Sequence, residues 1–267
     1  MMQPAQFDAY LVRLGLGHLP KANEEGLALF QRAHRLSIPF ENFDIHLGRG
    51  ISIALDRVVD KLVRSKRGGY CFEHNALFSA GLAVLGFNVR PILARVWLVS
   101  APGVVPPRTH VLSLVTIGDR QWIADAGFGG GYAPPMLLEA DRVAEGPDGG
   151  RHRLVMDADH GWMLEREGSD GWRPQFSFSL DAVYDSDLVM SNHWTSTSPD
   201  SRFVRHRIAS MVLPHGMAAL QDCRYTRSSL TDKVDSEITS ARMLQMRLSL
   251  VFGIDLERDQ IAALNLL

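Results

Sequence analysis

The sequence predicts an α+β protein: helices first, antiparallel strands next, and a mixed helical and strand segment last. Three observations support this. Through residues 1–86 apolar side chains recur at the three-to-four spacing of amphipathic helices. From 87 to 190 the dominant runs are β-branched and aromatic, broken by Gly, Pro and Asp. Between 191 and 267 short strand-like runs alternate with helical ones. No linker, repeat or low-complexity stretch separates the three segments, so the helical front is expected to pack on the β-rich middle.

Phe7, Tyr10, Leu11 and Leu14 mark the first helix. A second runs through "NEEGLALFQRAHRL", with Asn23 as N-cap and Glu24 and Glu25 in the first turn, beside its free N–H groups. Pro39 disfavours helical backbone at Ile38 and ends it. "ALDRVVDKLVRS" reads as a third helix. A fourth opens after Gly68 and Gly69, beginning at Cys71; Ala76, Leu77, Ala80, Ala83 and Val84 are its expected buried face. "NVRPILARVWLV", "THVLSLVTIG" and "RQWIADAGFG" follow as strands, the last two joined by a turn at Gly118 and Asp119. "HRLVMDADHGWMLEREGSDGWRPQFSF" continues in the same style, with turns at "ADHG" and "GSDG". Together these strands predict a barrel or sandwich. "LDAVYDSDLVMSNHW" is weakly helical, "FVRHRIASMVL" reads as a strand, and "SARMLQMRLSLVF" as a last helix.

The 267 residues are 46% hydrophobic and 22% charged, as in ordinary globular proteins. A net charge of −2 supplies no global field for a nucleic acid or an anionic membrane, so an anionic ligand must be met by local groups. Cys71 and Cys223 are the only cysteines. That excludes a disulfide scaffold and a multi-cysteine zinc site, and it fits a reducing cytoplasm. "MMQPAQFDAY" lacks the basic-then-apolar pattern of a signal peptide, and runs such as "GLAVLGFNV" are too short to span a bilayer.

Cys71 is either a buried small hydrophobe or a nucleophile. The second reading has physical support. A helix N-terminus stabilises a thiolate, the glycines before it leave space beside the sulfur, and Arg67 adds positive charge. A nucleophile also needs a base and a group to orient that base. The Gly118–Asp119 turn places His110 near the start of one strand and Asp125 at the end of the next, at similar distances from the turn. A Cys-His-Asp relay of Cys71, His110 and Asp125 is the expected site, of the kind seen in cysteine proteases, hydrolases and transglutaminases. The remaining histidines show no metal-ligand spacing, and no metal is expected. "GFGGGY" lacks the Lys-Ser/Thr of a phosphate-binding loop; it is a flexible turn or the edge of an entry cleft. Cys223 reads as a packing residue.

Five blocks in order resemble the arylamine N-acetyltransferase family: "IPFENF" (38–43), "RGGYCFEHN" (67–75), "RTHVLSLV" (108–115), "WIADAGFG" (122–129) and, more weakly, "SNHWTSTSPDSRF" (191–203). The resemblance implies a helical bundle (1–86), an antiparallel β-barrel (87–190) and an α/β lid (191–267). It implies Cys71 as acyl acceptor, His110 as base and Asp125 as orienting carboxylate. Phe40, Phe128 and Phe203 then line the acceptor pocket, and Arg67 and Glu41 form a bracing ion pair. Gly129, Gly130 and Gly131, near the expected site, are candidates for contact with coenzyme A. Arg202 and Arg205 are further candidates for its phosphates. The implied reaction moves acetyl from acetyl-coenzyme A, a co-substrate with no tightly bound cofactor beside it, to an arylamine, arylhydrazine or N-hydroxyarylamine. It proceeds by a ping-pong route in the cytoplasm, with a resting thiolate paired to protonated His110. "DAGF" stands where the family usually has D-V-G-F, a loss of two methyl groups and no polar atom. The alternatives are a macrolactam-forming amide synthase of the same fold and a Cys-His-Asp hydrolase or transglutaminase-like enzyme.

Overall fold

Helix α1 (Pro4–Leu14) begins with proline in its first turn, where a missing N–H costs nothing, and ends at Gly15 in the left-handed region (φ 69°). In α2 (Glu24–Ser37) the Asn23 side chain accepts the Gly26 N–H at 2.8 Å, and Ile38 turns extended ahead of Pro39. Tyr10 and Phe30 meet edge to face at 5.4 Å in the core between the two helices. The computed structural model describes residues 1–98, 100–101, 103–146, 149–229 and 231–267. After β1 (Phe40–Glu41) and α3 (Phe43–His46), the single helix expected over 54–65 is instead α4 (Leu55–Val59) widening into a π-helical stretch at Asp60–Arg64. The Ser65 N–H reaches back to the Asp60 carbonyl there, and Lys61 of the wide turn pairs inward with Glu73 and Asp44.

Helix α5 (Cys71–Val84) departs from its expected face. Cys71 to Asn75 are all buried, followed by Leu77, Phe78, Gly81 and Leu82, while Ala83 and Val84 are exposed. The first turns run between the other helices and a sheet, so they have no solvent side, and the buried stripe further on is centred on Phe78 and Leu82. Gly81 is required there: a Cβ would stand 2.8 Å from the Phe30 ring and 3.0 Å from that of Tyr10.

Strands β2 (Asn88–Val96), β3 (Arg108–Ile117), β4 (Arg120–Ala124), β5 (Met136–Leu137), β6 (Val143–Glu145), β7 (Arg151–Asp157), β8 (Gly161–Gly168) and β9 (Gly171–Phe178) form one antiparallel sheet in the order β5-β4-β3-β2-β9-β8-β7-β6. It is barrel-like rather than a closed barrel, because the end strands β5 and β6 share no ladder among the described residues. Gly118 (φ 63°) makes the tight β3–β4 turn, which sets Ser113 opposite Ala124 as the last pair of that ladder.

The C-terminal segment carries α6 (Asp185–Thr197), α7 (Arg202–Arg205), β10 (Ile208–Leu213), β11 (Gly216–Gln221), β12 (Arg224–Ser228), β13 (Lys233–Glu237), α8 (Ala241–Phe252) and α9 (Arg258–Ala263). The strand expected over "FVRHRIASMVL" begins only at Ile208. Ser201 accepts the Phe203 N–H at 3.2 Å and caps one helical turn before it. The second sheet has the order β1-β10-β11-β12-β13, with Phe40 opposite Ser210 and Glu41 opposite Ala209. The "IPFENF" block is therefore the edge strand of the C-terminal sheet. Around it Phe40, Tyr70, Cys71, Phe72, Leu93, Val111 and Ile208 pack into one apolar cluster drawn from all three segments. Among the described residues no helix is long and apolar enough to cross a membrane.

Candidate active site

Cys71 is the first residue of α5, and the first bond into the helix is from the His74 N–H to the Tyr70 carbonyl. The N–H groups of Cys71, Phe72 and Glu73 thus have no intrahelical acceptor. Glu73 turns back to accept the Tyr70 N–H at 3.0 Å, closing a capping box. Cys71 is 2% exposed, and its sulfur lies 3.6 Å from the Thr109 carbonyl, to which the thiol donates. Burial, and then the charge of Asp125, push the Cys71 thiol up; the N–H groups of Phe72, Val111 and Cys71 itself partly offset this.

His110 on β3 places Nε2 2.7 Å from Asp125 Oδ2. Asp125 lies one residue beyond the end of β4 and sits among donors. Its Oδ1 accepts from Gly127 N–H at 2.8 Å and from Asn75 Nδ2 at 3.1 Å. Burial alone would raise this carboxyl. The charge and hydrogen bond of His110, with those two further donors, hold it below the usual carboxylate range. A carboxylate facing Nε2 fixes the proton there, so Nδ1 is the nitrogen with a lone pair.

Cys71 and His110 line one cavity of about 690 Å³, together with Phe40, Phe128 and Phe203. The Phe128 ring meets that of His110 edge to face at 5.3 Å, and Phe40 lies 5.8 Å from Phe203. Gly129 and Gly130 border the cavity, whereas Gly131 is not in its wall; a Cβ there would strike Arg166 Nη1 at 2.0 Å. The glycine run serves close packing. At Gly127 a Cβ would come within 2.5 Å of Asn75 Nδ2 and 2.9 Å of Cys71 Cα, and at Gly129 within 3.1 Å of the Phe40 ring. Arg202, Arg205, Arg224 and Lys233 also line the cavity, with Asp200 as the one carboxylate among its described lining residues. No three His, Cys, Asp or Glu side chains group as metal ligands among the described residues.

Arg67 donates from Nε and Nη2 to Glu41 Oε1 at 2.9 and 2.7 Å, and from Nη2 to Asp44 at 3.2 Å. Lys61 bridges Asp44 (2.9 Å) and Glu73 (2.8 Å). The brace is thus a network of two cations, Arg67 buried and Lys61 half-buried, and three buried carboxylates, not a single pair. Burial pushes the Glu73 carboxyl up to about 7 against the pull of Lys61. Cys223 donates to the Leu266 carbonyl at 3.3 Å beside the C-terminal core, away from the cavity lining.

Three positioning residues were not singled out from the sequence. Asn75, one helical turn after Cys71, donates to Val111 O (2.7 Å), Cys71 O (3.2 Å) and Asp125, and accepts the Ala126 N–H at 3.2 Å. Gln31 of α2 accepts the Asp125 N–H at 2.9 Å. Asn42 donates to the carbonyls of Phe203 and His206, both at 2.7 Å, and accepts the Ile208 N–H at 2.7 Å, so it holds the turn that carries Phe203. The available signal was an amide residue inside an otherwise apolar pattern, which when buried must find partners.

The profile of the N-acetyltransferase family matches residues 25–261. An arylamine N-acetyltransferase / N-hydroxyarylamine O-acetyltransferase of Salmonella typhimurium is 39% identical over 221 residues, 82% of this chain and 78% of the relative. An arylamine N-acetyltransferase of Escherichia coli is 39% identical over 208 residues, 78% of this chain and 73% of the relative. The solved Salmonella typhimurium arylamine N-acetyltransferase superposes with a TM-score of 0.91 at 34% identity, covering 98% of both chains. The Mycobacterium marinum enzyme in complex with CoA does so at 0.90 and 29%, covering 97% of this chain and 98% of that one. With the motif blocks, the fold and the cavity in agreement, this chain belongs to the arylamine N-acetyltransferase family.

Proposed function

We propose that this chain transfers an acetyl group from acetyl-coenzyme A to arylamines, arylhydrazines and N-hydroxyarylamines through an acetyl-Cys71 intermediate. The observation that carries the reading is a buried cysteine at a helix start sharing one cavity with a histidine held at 2.7 Å by a buried aspartate. The Cys71 proton passes to His110 Nδ1, which leaves the sulfur as a thiolate beside the imidazolium. Sulfur then attacks the thioester carbonyl. The C–S bond to coenzyme A breaks, and the proton on His110 passes to the departing thiolate. In the second half the amine attacks acetyl-Cys71, His110 accepts an amine proton and returns it to the Cys71 sulfur as it leaves.

The oxyanion is assigned to the amide cluster at the start of α5, whose N–H groups lack helical partners. Phe40, Phe128 and Phe203 favour a flat aromatic acceptor over water, which protects the acetyl-enzyme from hydrolysis. The phosphates of coenzyme A are assigned to the wall carrying Arg202, Arg205, Arg224 and Lys233, with Gly129 and Gly130 nearer its thioester. Segments 1–86, 87–190 and 191–267 serve as nucleophile carrier, base carrier and lid. Free Cys71 and Cys223 suit a reducing cytoplasm. The test is intact mass after incubation with acetyl-coenzyme A and no acceptor. A single acetyl adduct mapping to Cys71 is expected; its absence there, or an unchanged rate in Cys71→Ala, sinks the reading.

A further inference from the structure

A chain of three hydrogen bonds with no role in the triad runs behind the site. The Tyr10 hydroxyl bonds His34 Nδ1, His34 Nε2 lies 2.7 Å from His74 Nδ1, and His74 Nε2 lies 3.0 Å from the Pro39 carbonyl. Tyr10, His34 and His74 are all 0% exposed. The direction of every bond follows from its last link. A carbonyl only accepts, so His74 carries its hydrogen on Nε2 and presents a lone pair at Nδ1. His34 therefore donates from Nε2 and accepts at Nδ1, where the Tyr10 O–H donates.

The link ends at the wall of the acceptor pocket. Pro39 immediately precedes Phe40, and its carbonyl also accepts the Gly69 N–H at 3.3 Å, two residues before Cys71. The His74 ring lies parallel to that of Phe40, within 5° and with centroids 6.2 Å apart. His74 itself is three residues after Cys71 on α5. One side chain thus ties the helix bearing the nucleophile to the strand bearing the pocket aromatic, by a hydrogen bond to its backbone and a stack against its ring.

We propose that His74, locked in its Nε2–H tautomer by His34 and Tyr10, is a positioning residue that sets Phe40 relative to Cys71 for the aromatic acceptor. This rests on Cys71 and Phe40 having the roles assigned above. It has no part in attack on acetyl-coenzyme A, so the two half-reactions separate the proposals. Cys71 acetylation by acetyl-coenzyme A, read by mass in a single turnover, is expected within twofold of wild type in His74→Leu. The KM for aniline is expected to rise about tenfold, the scale of one lost orienting contact, with kcat little changed. The rate with hydrazine, which has no ring, is expected to stay within twofold. His74→Gln, able to accept from His34 and donate toward Pro39, is expected to restore the aniline KM. Equal losses for aniline and hydrazine, or an unchanged aniline KM, overturn the proposal, while failure of acetylation in the wild type strikes the Cys71 assignment instead. Should His74→Leu not fold, the histidine ¹⁵N spectrum of the wild-type protein decides. A protonated Nε2 and bare Nδ1 on His74 from pH 8 to pH 5 support the lock; a proton on Nδ1 refutes it.

Discussion

Replacing Asp125 with Asn tests the triad with little change in shape. In the wild type one oxygen takes the His110 Nε2–H at 2.7 Å and the other takes the N–H groups of Gly127 and Asn75 at 2.8 and 3.1 Å. The new amide can keep its oxygen toward Gly127 and Asn75, since both are donors. That leaves an NH₂ group facing His110 Nε2, which must then become an acceptor. The ring proton moves to Nδ1, the atom required to receive the Cys71 proton, and the base is disabled without being removed. Loss of one charge-assisted bond for a neutral one costs about 1–2 kcal/mol of stability. The tautomer change costs far more in rate, about 10⁴-fold for the same exchange in a serine-protease triad. Single-turnover acetylation of Cys71, followed by mass alongside a urea melt, separates the two effects. An Asp125→Asn protein that acetylates within tenfold of wild type removes the orienting role of Asp125. A rate loss matched by a collapsed melt would show a folding role only.

Further outcomes follow from the same packing. Gly127→Ala drives a methyl group to 2.5 Å from Asn75 Nδ2 and 2.9 Å from Cys71 Cα, so a stability loss of about 2–3 kcal/mol and a lost acetyl adduct are expected. A normal melt with full activity would refute the close approach. Arg67→Ala leaves Glu41 and Asp44 short of a buried cation and should cost about 3–5 kcal/mol in a denaturant titration. Arg67→Lys should recover only part, because the Nε and Nη2 fork onto Glu41 is lost; equal melts for the two variants would contradict the role given to the fork. Burial, and then Arg35, lower His74 to about 3 from 6.5, so the unfolded chain binds its proton first. The stability of the neutral ring is intact above pH 6.5 and is lost as pH falls toward 3, at up to about 1.4 kcal/mol per pH unit. Glu73, raised by burial to about 7, works in the opposite sense, gaining stability as pH falls to 4.5. Urea midpoints from pH 7 to pH 4 should therefore fall more steeply in wild type than in His74→Gln, and parallel curves would contradict the buried neutral ring.

Much of this architecture was legible from residues close together in the chain. Asn23 as N-cap, Pro39 as helix stop, Gly118 as turn and the fourth helix opening at Cys71 each depend on a few neighbouring dihedrals and donors. The tight β3–β4 turn brings His110 and Asp125 together because a two-residue hairpin fixes register for the strands on either side. The buried face of α5 was misjudged for the opposite reason: its first turns are enclosed by elements distant in sequence, and composition alone does not say on how many sides. The π-helical stretch at Asp60–Arg64 likewise accompanies partners outside the local window, Glu73 and Asp44.

The sequence by itself determined the order of the helical, β-rich and mixed segments, the family, and the residue types able to carry acyl transfer. Only the tertiary structure decided that Phe40 and Glu41 pair with Ser210 and Ala209, that Asn75, Gln31 and Asn42 hold Asp125 and the Phe203 turn, and that Tyr10, His34 and His74 form one directed chain. The physical reason is range. Caps, turns and periodicity are set within a few residues, whereas a buried amide or imidazole takes whatever partner the fold delivers, and that partner can stand more than 160 positions away, as Phe203 does from Asn42.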